Sequence, residues 1–123
     1  MAIKFLLDHH VPKAITVGLR LRDIDLLTAY EDNSHQLDNS QLLDRASELN
    51  RVLYLQDDDL IIEAVQRQKN KITFTGLVYS HPLRISIGSC IHDLEIIGGV
   101  GEPDDLRNNI EFLPLRSSGT SSN

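Results

Sequence analysis

The chain has 123 residues, a length that fits one domain with its own hydrophobic core. Its 18 Asp and Glu residues against 12 Lys and Arg give a net charge of -6, which argues against binding nucleic acid through bulk charge. The single cysteine, Cys90, excludes an intrachain disulfide, and no apolar run approaches the roughly 20 residues of a membrane helix. These features predict a cytoplasmic protein with no membrane partner.

Short apolar runs alternate with amphipathic segments along the chain. In chain order, these patterns predict a strand at 3–7, a helix at about 14–21, a strand at 24–29, a polar loop at 30–39, a helix from Asn39 or Ser40 to about 49, a strand at 52–55, a helix at 58–68, a strand at 72–78, a helix at about 83–97, a glycine break at 98–101, a short helix at 103–108 and a strand at 110–115. This alternation predicts a three-layer α/β/α fold with a mainly parallel sheet of four or five strands. We expect the domain to span 1–115 and the polar segment 116–123 to be a disordered tail.

Two of the predicted strands run directly into aspartates. The first strand ends at Asp8, and the strand at 52–55 is followed, after Gln56, by Asp57, Asp58 and Asp59. Ligands of open α/β sheets bind beyond the carboxyl ends of the strands, so these carboxylates would meet there if the two strands are parallel neighbours. Gathered carboxylates repel one another unless a cation or protons lie between them. The pattern therefore predicts a site for a hard divalent metal ion.

A simpler interpretation assigns the same aspartates to the starts of helices. Asp57 and Asp59 precede or open the predicted third helix, and Asp8 precedes the first, where a carboxylate can accept backbone N–H groups. Three consecutive aspartates exceed what one helix start requires. This excess favours the metal site, although capping stays an open alternative.

The segments around these aspartates resemble the signatures of PIN-like domains, the family related to VapC-type toxin ribonucleases. The first is the sequence FLLDHHVP at 5–12, similar to the family's apolar strand followed by Asp, an acid, Asn or His, an apolar residue and Pro. The second is RVLYLQDDDL at 51–60, similar to a strand that ends in Asp-x-Asp. Weaker similarities lie at 38–43, 76–79 and 86–88. The resemblance covers roughly 3–115.

The resemblance implies a ribonuclease that hydrolyses RNA phosphodiesters with Mg²⁺ or Mn²⁺, as the toxin of a toxin–antitoxin pair. It also implies an antitoxin partner and a homodimer. Arg84, just past the predicted fourth strand, would lie at the same end of the sheet and reach a phosphate. The candidate site comprises catalytic Asp8, Asp57 and Asp59, the metal ligands Asp8, Asp38, Asp57, Asp59 and His9, and the substrate contacts Asn39 and Arg84.

Two positions depart from the family pattern and leave other functions open. His9 stands where the family usually has Glu, and it would favour Mn²⁺ or Zn²⁺ over Mg²⁺. Asn39 stands where an acid is usual, with Asp38 one residue earlier. These departures motivate an alternative, a PIN-like domain that has lost catalysis and binds RNA or protein. A phosphoacceptor receiver domain is a third hypothesis, but the residues after Asp8 and near 114–116 do not match its pattern.

Overall fold

Five strands and five helices alternate along the part of the chain that the computed structural model describes, residues 2–115. The predicted tail at 116–123 lies outside the described residues. The strands are β1 Phe5–Leu7, β2 Leu26–Thr28, β3 Val52–Leu55, β4 Leu77–Tyr79 and β5 Ile110–Phe112. The helices are α1 Lys13–Arg20, α2 Asn39–Glu48, α3 Asp59–Lys69, α4 Ile87–Val100 and α5 Pro103–Leu106.

All five strands are parallel, in the order β2-β1-β3-β4-β5. The chain passes from β1 to β2 on one side and then returns to β3 on the other, so the strand order reverses between β1 and β3. The register pairs Leu7 with Tyr54, which aligns the carboxyl ends of these two strands. The three-layer α/β/α prediction is confirmed, and open sheets of this kind bind ligands in the crevice at such a reversal.

The strands are apolar without interruption because both faces of the sheet are covered. Phe5 and Leu7 of β1 pack in one core with α1 and α4. Leu6 lies on the opposite face, in a second core with α2 and α3. All three of these side chains are at most 1% exposed. Burial on both faces explains why β1 and its neighbour β3 could be predicted from their sequences.

β4 begins at Leu77, so the predicted strand at 72–78 is correct only in its last two residues. Ile72 fits the apolar pattern but is 51% exposed and lies before the strand. Gly76 adopts a φ of 126°, and a Cβ there would clash with the carbonyl oxygen of Leu106. Only glycine permits this backbone turn beside α5. The chain therefore enters the sheet after Gly76.

α4 begins after Ser86 rather than near residue 83. The Ser86 hydroxyl accepts the Ser89 N–H at 3.1 Å and so caps the helix. The helix continues through the glycines at 98–99 to Val100, so the predicted break there is wrong. With 14 residues, α4 is the longest helix in 2–115, and none in that range has the length and apolar character needed to cross a bilayer.

Arg67 joins the two helices on one face of the sheet. Its side chain, on α3, is 6% exposed. The guanidinium donates to Asp44 of α2 at 2.6 Å, to Glu63 at 3.1 Å and to the Ser40 carbonyl at 2.9 Å. A buried cation with this set of acceptors is compensated rather than left unpaired.

Candidate metal centre

Asp8 lies immediately beyond the carboxyl end of β1. Its N–H donates to the Tyr54 carbonyl at 3.0 Å, which continues the pairing with β3 past Leu7. Its carbonyl accepts the Val11 N–H at 3.1 Å and closes a turn before α1. The side chain is only 11% exposed, and within 2–115 it forms no ion pair with Lys or Arg. Its Oδ2 accepts the His10 N–H at 3.4 Å, and the carboxylate is poorly solvated without a Lys or Arg counterion in that range.

Two consecutive histidines flank this carboxylate. The Nδ1 atom of His9 lies 3.5 Å from Oδ1 of Asp8, and Nδ1 of His10 lies 3.6 Å from Oδ2. The His9 side chain is 27% exposed and that of His10 is 68% exposed. One ligand atom from each of the three residues can be chosen so that all lie within 4.8 Å of one another. We refer to Asp8, His9 and His10 as the histidine group.

Asp57, Asp58 and Asp59 form a second group, which we call the aspartate group. All three are exposed, and carboxylate oxygens from each lie within 4.8 Å of one another. Oδ1 of Asp57 accepts the Asp59 N–H at 3.0 Å, so Asp57 does serve the start of α3. The capping alternative is thus correct for one oxygen of Asp57, whereas Asp58 makes no capping bond with its side chain.

The two groups lie at the same end of the sheet but face adjoining clefts. His10 lines one cleft together with Asp57 and Asp58. Asp8 and His9 line the other. In the part of the chain that the structure describes, no set of three ligand atoms within 4.8 Å of one another combines members of both groups. His10 therefore belongs to the histidine group by its distances but lines the cleft of the aspartate group.

Tyr79, at the end of β4, has a pKa that is influenced by the negative charges of the aspartate group. Burial raises the pKa of the Tyr79 phenol, and the negative charges of Asp58 and Asp57 raise this pKa further. The positive charge of Arg84 acts in the opposite direction on the same pKa. Arg84 lies in the loop between β4 and α4, at the predicted end of the sheet, and among residues 2–115 it makes no ion pair within 4.0 Å.

Asp38 lies apart from both groups and caps α2. Its Oδ1 accepts the Gln41 N–H at 2.8 Å, and Oε1 of Gln41 accepts the Asp38 N–H at 3.2 Å. This reciprocal pair is a capping box. The helix predicted to start at Asn39 or Ser40 starts at the exposed Asn39, and Asp38 rather than either of these residues is its cap. The spacing of Asp38 and Gln41 was the sequence signal for this arrangement.

Sequence reasoning missed an aromatic cluster beside the histidine group. The Tyr30 ring is 60% exposed and its centroid lies 5.6 Å from that of His9 and 4.3 Å from that of His35. The Nδ1 atom of His35 is buried without a hydrogen bond. These residues belong to separate segments that meet through the pairing of β1 with β2. The sequence therefore carried no local signal for the cluster.

Glu31 fixes the loop that carries Tyr30. Its carboxylate accepts hydrogen bonds from the Arg20 guanidinium and, at 3.0 Å, from the Thr28 N–H. Its own N–H donates to the Thr28 hydroxyl at 3.1 Å. The Arg20 hydrogen bond, followed by that from Thr28, lowers the pKa of Glu31 from 4.5 to about 2. The loop is thus tied to both α1 and β2.

This lowered pKa predicts how the stability of the fold depends on pH. Glu31 stabilises the fold above its unfolded pKa of 4.5, and this contribution is lost as pH falls toward about 2. We expect Glu31→Gln to weaken the pH dependence of the free energy of unfolding in that interval, by less than about 1 kcal/mol because the pair is exposed. Urea unfolding at a series of pH values measures this. Glu111→Gln is the control for loss of one carboxyl, and parallel curves for Glu31→Gln and the parent protein would contradict the prediction.

Comparison of the chain with protein-family models, with curated proteins and with solved structures finds no match. The resemblance of the two strand-end motifs thus stays a prediction.

Proposed function

We propose that this protein is a metal-dependent ribonuclease of the PIN-like type that uses Mg²⁺ or Mn²⁺. The observation that supports the proposal is the position of Asp8 and Asp57 beyond the ends of the neighbouring strands β1 and β3. This is the crevice where the strand order reverses and where open α/β sheets bind their ligands. Acidic residues from two distant segments thus lie at one end of the sheet, in adjoining clefts.

The residues at this crevice fit a divalent cation. Asp57, Asp58 and Asp59 offer exposed oxygens within 4.8 Å of one another, and only one of these oxygens is used at the start of α3. Asp8 and His9 offer further ligand atoms in the adjoining cleft. Oxygen ligands of this type suit Mg²⁺ and Mn²⁺. A bound ion would supply activation of water and stabilisation of charge on the leaving oxygen.

Cationic side chains near the crevice supply contacts for an RNA backbone despite the acidic composition of the chain. Arg84 lies near Tyr79 beside the aspartate group, and Lys13 lines the cleft with Asp8. Within the described range, neither cation forms an ion pair with a carboxylate, so both are free to contact phosphates. Asn39 is exposed and is proposed as a further substrate contact. A cytoplasmic location, an antitoxin partner and a homodimer belong to the same proposal.

The proposal predicts that RNA is cleaved only when a divalent metal ion is present. We expect a labelled single-stranded RNA to be cut in Mg²⁺ or Mn²⁺, to stay intact in excess chelator, and to be cut again when the ion is restored. A protein carrying Asp57→Asn and purified identically controls for contaminating nucleases. RNA that stays intact after long incubation with concentrated protein in both metals would overturn the proposed ribonuclease activity.

A domain that binds without catalysis is the second candidate. It is favoured by the use of Asp38 in a capping box and by the separation of the histidine and aspartate groups. Both features reduce the number of carboxylates available to one ion. Calorimetric titration with Mn²⁺ separates the candidates, because binding tighter than about millimolar supports the nuclease. RNA bound but not cleaved, with no Mn²⁺ uptake, supports the binding module.

A further inference from the structure

We propose that the histidine group is a binding site of its own for a late first-row transition metal ion, with Zn²⁺ as the fitting example. This site is distinct from the oxygen-only aspartate group. The inference rests on the proposed function in placing metal chemistry at this end of the sheet, but it does not require RNA cleavage. It assigns His10 as a ligand and gives the two groups different metal preferences.

The spacing of the candidate ligand atoms is close to what such an ion needs. Nδ1 of His9 and Nδ1 of His10 lie 3.5 Å and 3.6 Å from the two carboxylate oxygens of Asp8. A tetrahedral ion with bonds of about 2.0–2.1 Å has ligand atoms about 3.3–3.4 Å apart. Each imidazole nitrogen is thus close to the spacing required relative to one oxygen of Asp8, and ligand atoms from all three residues lie within 4.8 Å of one another.

The histidine group also contains polar atoms without partners. Nδ1 of His9 is buried and makes no hydrogen bond in the described chain. The nearby Asp8 carboxylate is 11% exposed and has no Lys or Arg beside it. Unpaired buried polar atoms and poorly solvated charges are unfavourable, and one cation between them would compensate both.

The donor set selects the class of ion. Two imidazoles and one carboxylate are the donors typical of zinc and non-haem iron sites, in which a further position stays open. Mg²⁺ prefers oxygen ligands in an octahedron and gains little from imidazole. His10 is 68% exposed and borders the cleft of Asp57 and Asp58, so an open position would face solvent and substrate.

The backbone holds this site in place before any ion arrives. The three residues are consecutive, and the bond from Val11 to the Asp8 carbonyl closes their turn. The bond from the Asp8 N–H to the Tyr54 carbonyl anchors the turn to β3. Little chain entropy is then lost on binding, because the donors do not have to be collected from separate segments.

Calorimetric titration of the tag-free protein with Zn²⁺ tests the inference. We expect one tight site, binding at least about tenfold weaker in His10→Ala, and no displacement by excess Mg²⁺. His92→Ala, which removes an exposed imidazole from α4, and Asp57→Asn should leave the Zn²⁺ affinity unchanged. Imidazole resonances in NMR spectra should shift for His9 and His10 in the parent protein. Because His10 is exposed, His10→Ala should fold, which circular dichroism can check; Asp8→Asn is the second variant and should also weaken binding.

Several results would overturn the inference. These are the absence of Zn²⁺ binding, equal affinity in the parent protein and His10→Ala, or a loss in Asp57→Asn as large as that in His10→Ala, which would indicate one shared site. Failure here and failure of the proposed function are distinguishable. If RNA is cleaved in Mg²⁺ but no Zn²⁺ binds, only the proposed Zn²⁺ site is overturned. If Zn²⁺ binds but RNA stays intact in every metal, only the proposed ribonuclease activity is overturned.

Discussion

Replacing Asp57 by Asn is expected to lower the rate of RNA cleavage at least about 100-fold, because the metal loses a charged ligand. The variant should fold normally, since the Asn side-chain oxygen can still accept the Asp59 N–H that Asp57 binds at 3.0 Å. The substitution therefore separates the role of Asp57 at the start of α3 from its role as a metal ligand. Initial rates in Mn²⁺, together with urea unfolding curves, measure the two roles independently.

Asp104→Asn is the matched control for this experiment. Asp104 is 86% exposed on α5 and pairs with Arg107, which lines a cleft with Ile3 and Lys4 near the opposite end of the sheet. The same chemical change there should leave the cleavage rate at the parent value. Asp8→Asn should reproduce the loss seen with Asp57→Asn. If Asp57→Asn cleaves RNA at the parent rate, Asp57 is a capping residue and the nuclease site is wrongly placed.

Replacing Arg67 by Met is expected to lower the free energy of unfolding by about 2 kcal/mol, through loss of charged hydrogen bonds from a buried guanidinium. The Met side chain preserves much of the apolar stem, so the loss reports the contacts with Asp44, Glu63 and Ser40. Arg67→Lys should recover only part of the loss, because an ammonium cannot reproduce the planar fork of donors. Urea unfolding at neutral pH gives the values.

Arg107→Met provides the comparison for this prediction. Arg107 is 52% exposed and pairs with Asp104 one helical turn away, so its removal should change the free energy of unfolding by less than about 0.5 kcal/mol. Equal losses in the two variants would show that the burial of Arg67 adds nothing to its ion pairs. Glu63 and Asp44 would then be ordinary surface partners.

The parts of the fold that could be predicted from sequence are those whose signal is local. β1 and β3 are apolar throughout because both of their faces are buried, and the predicted run at 52–55 coincides with the observed strand. The start of β4 was missed because Ile72 continues the apolar pattern while the backbone turns at Gly76, beside Leu106. That turn depends on a contact with α5, 30 residues further along the chain, which no local pattern contains.

The same distinction between local signals and tertiary contacts applies to the candidate site. Asp8 and Asp57 were placed correctly at the carboxyl ends of their strands because a strand end is a local feature and parallel strands share an end. The approach of Tyr30 to His9 depends on the path of the loop after β2, which is fixed by hydrogen bonds of Glu31. Such paths are set by tertiary contacts, so the sequence could show the loop's polarity but not its neighbours.

The two outermost strands of the sheet have a consequence for self-association. β2 and β5 contain three residues each, and Pro114 follows β5 closely. A neighbouring molecule that continued the sheet along either border would find only a few free N–H and C=O groups to pair with, and proline offers no N–H at all. Such a ladder would be too short to hold two copies together. We therefore expect any homodimer of this chain to obtain its affinity from side-chain contacts rather than from an extended intermolecular sheet.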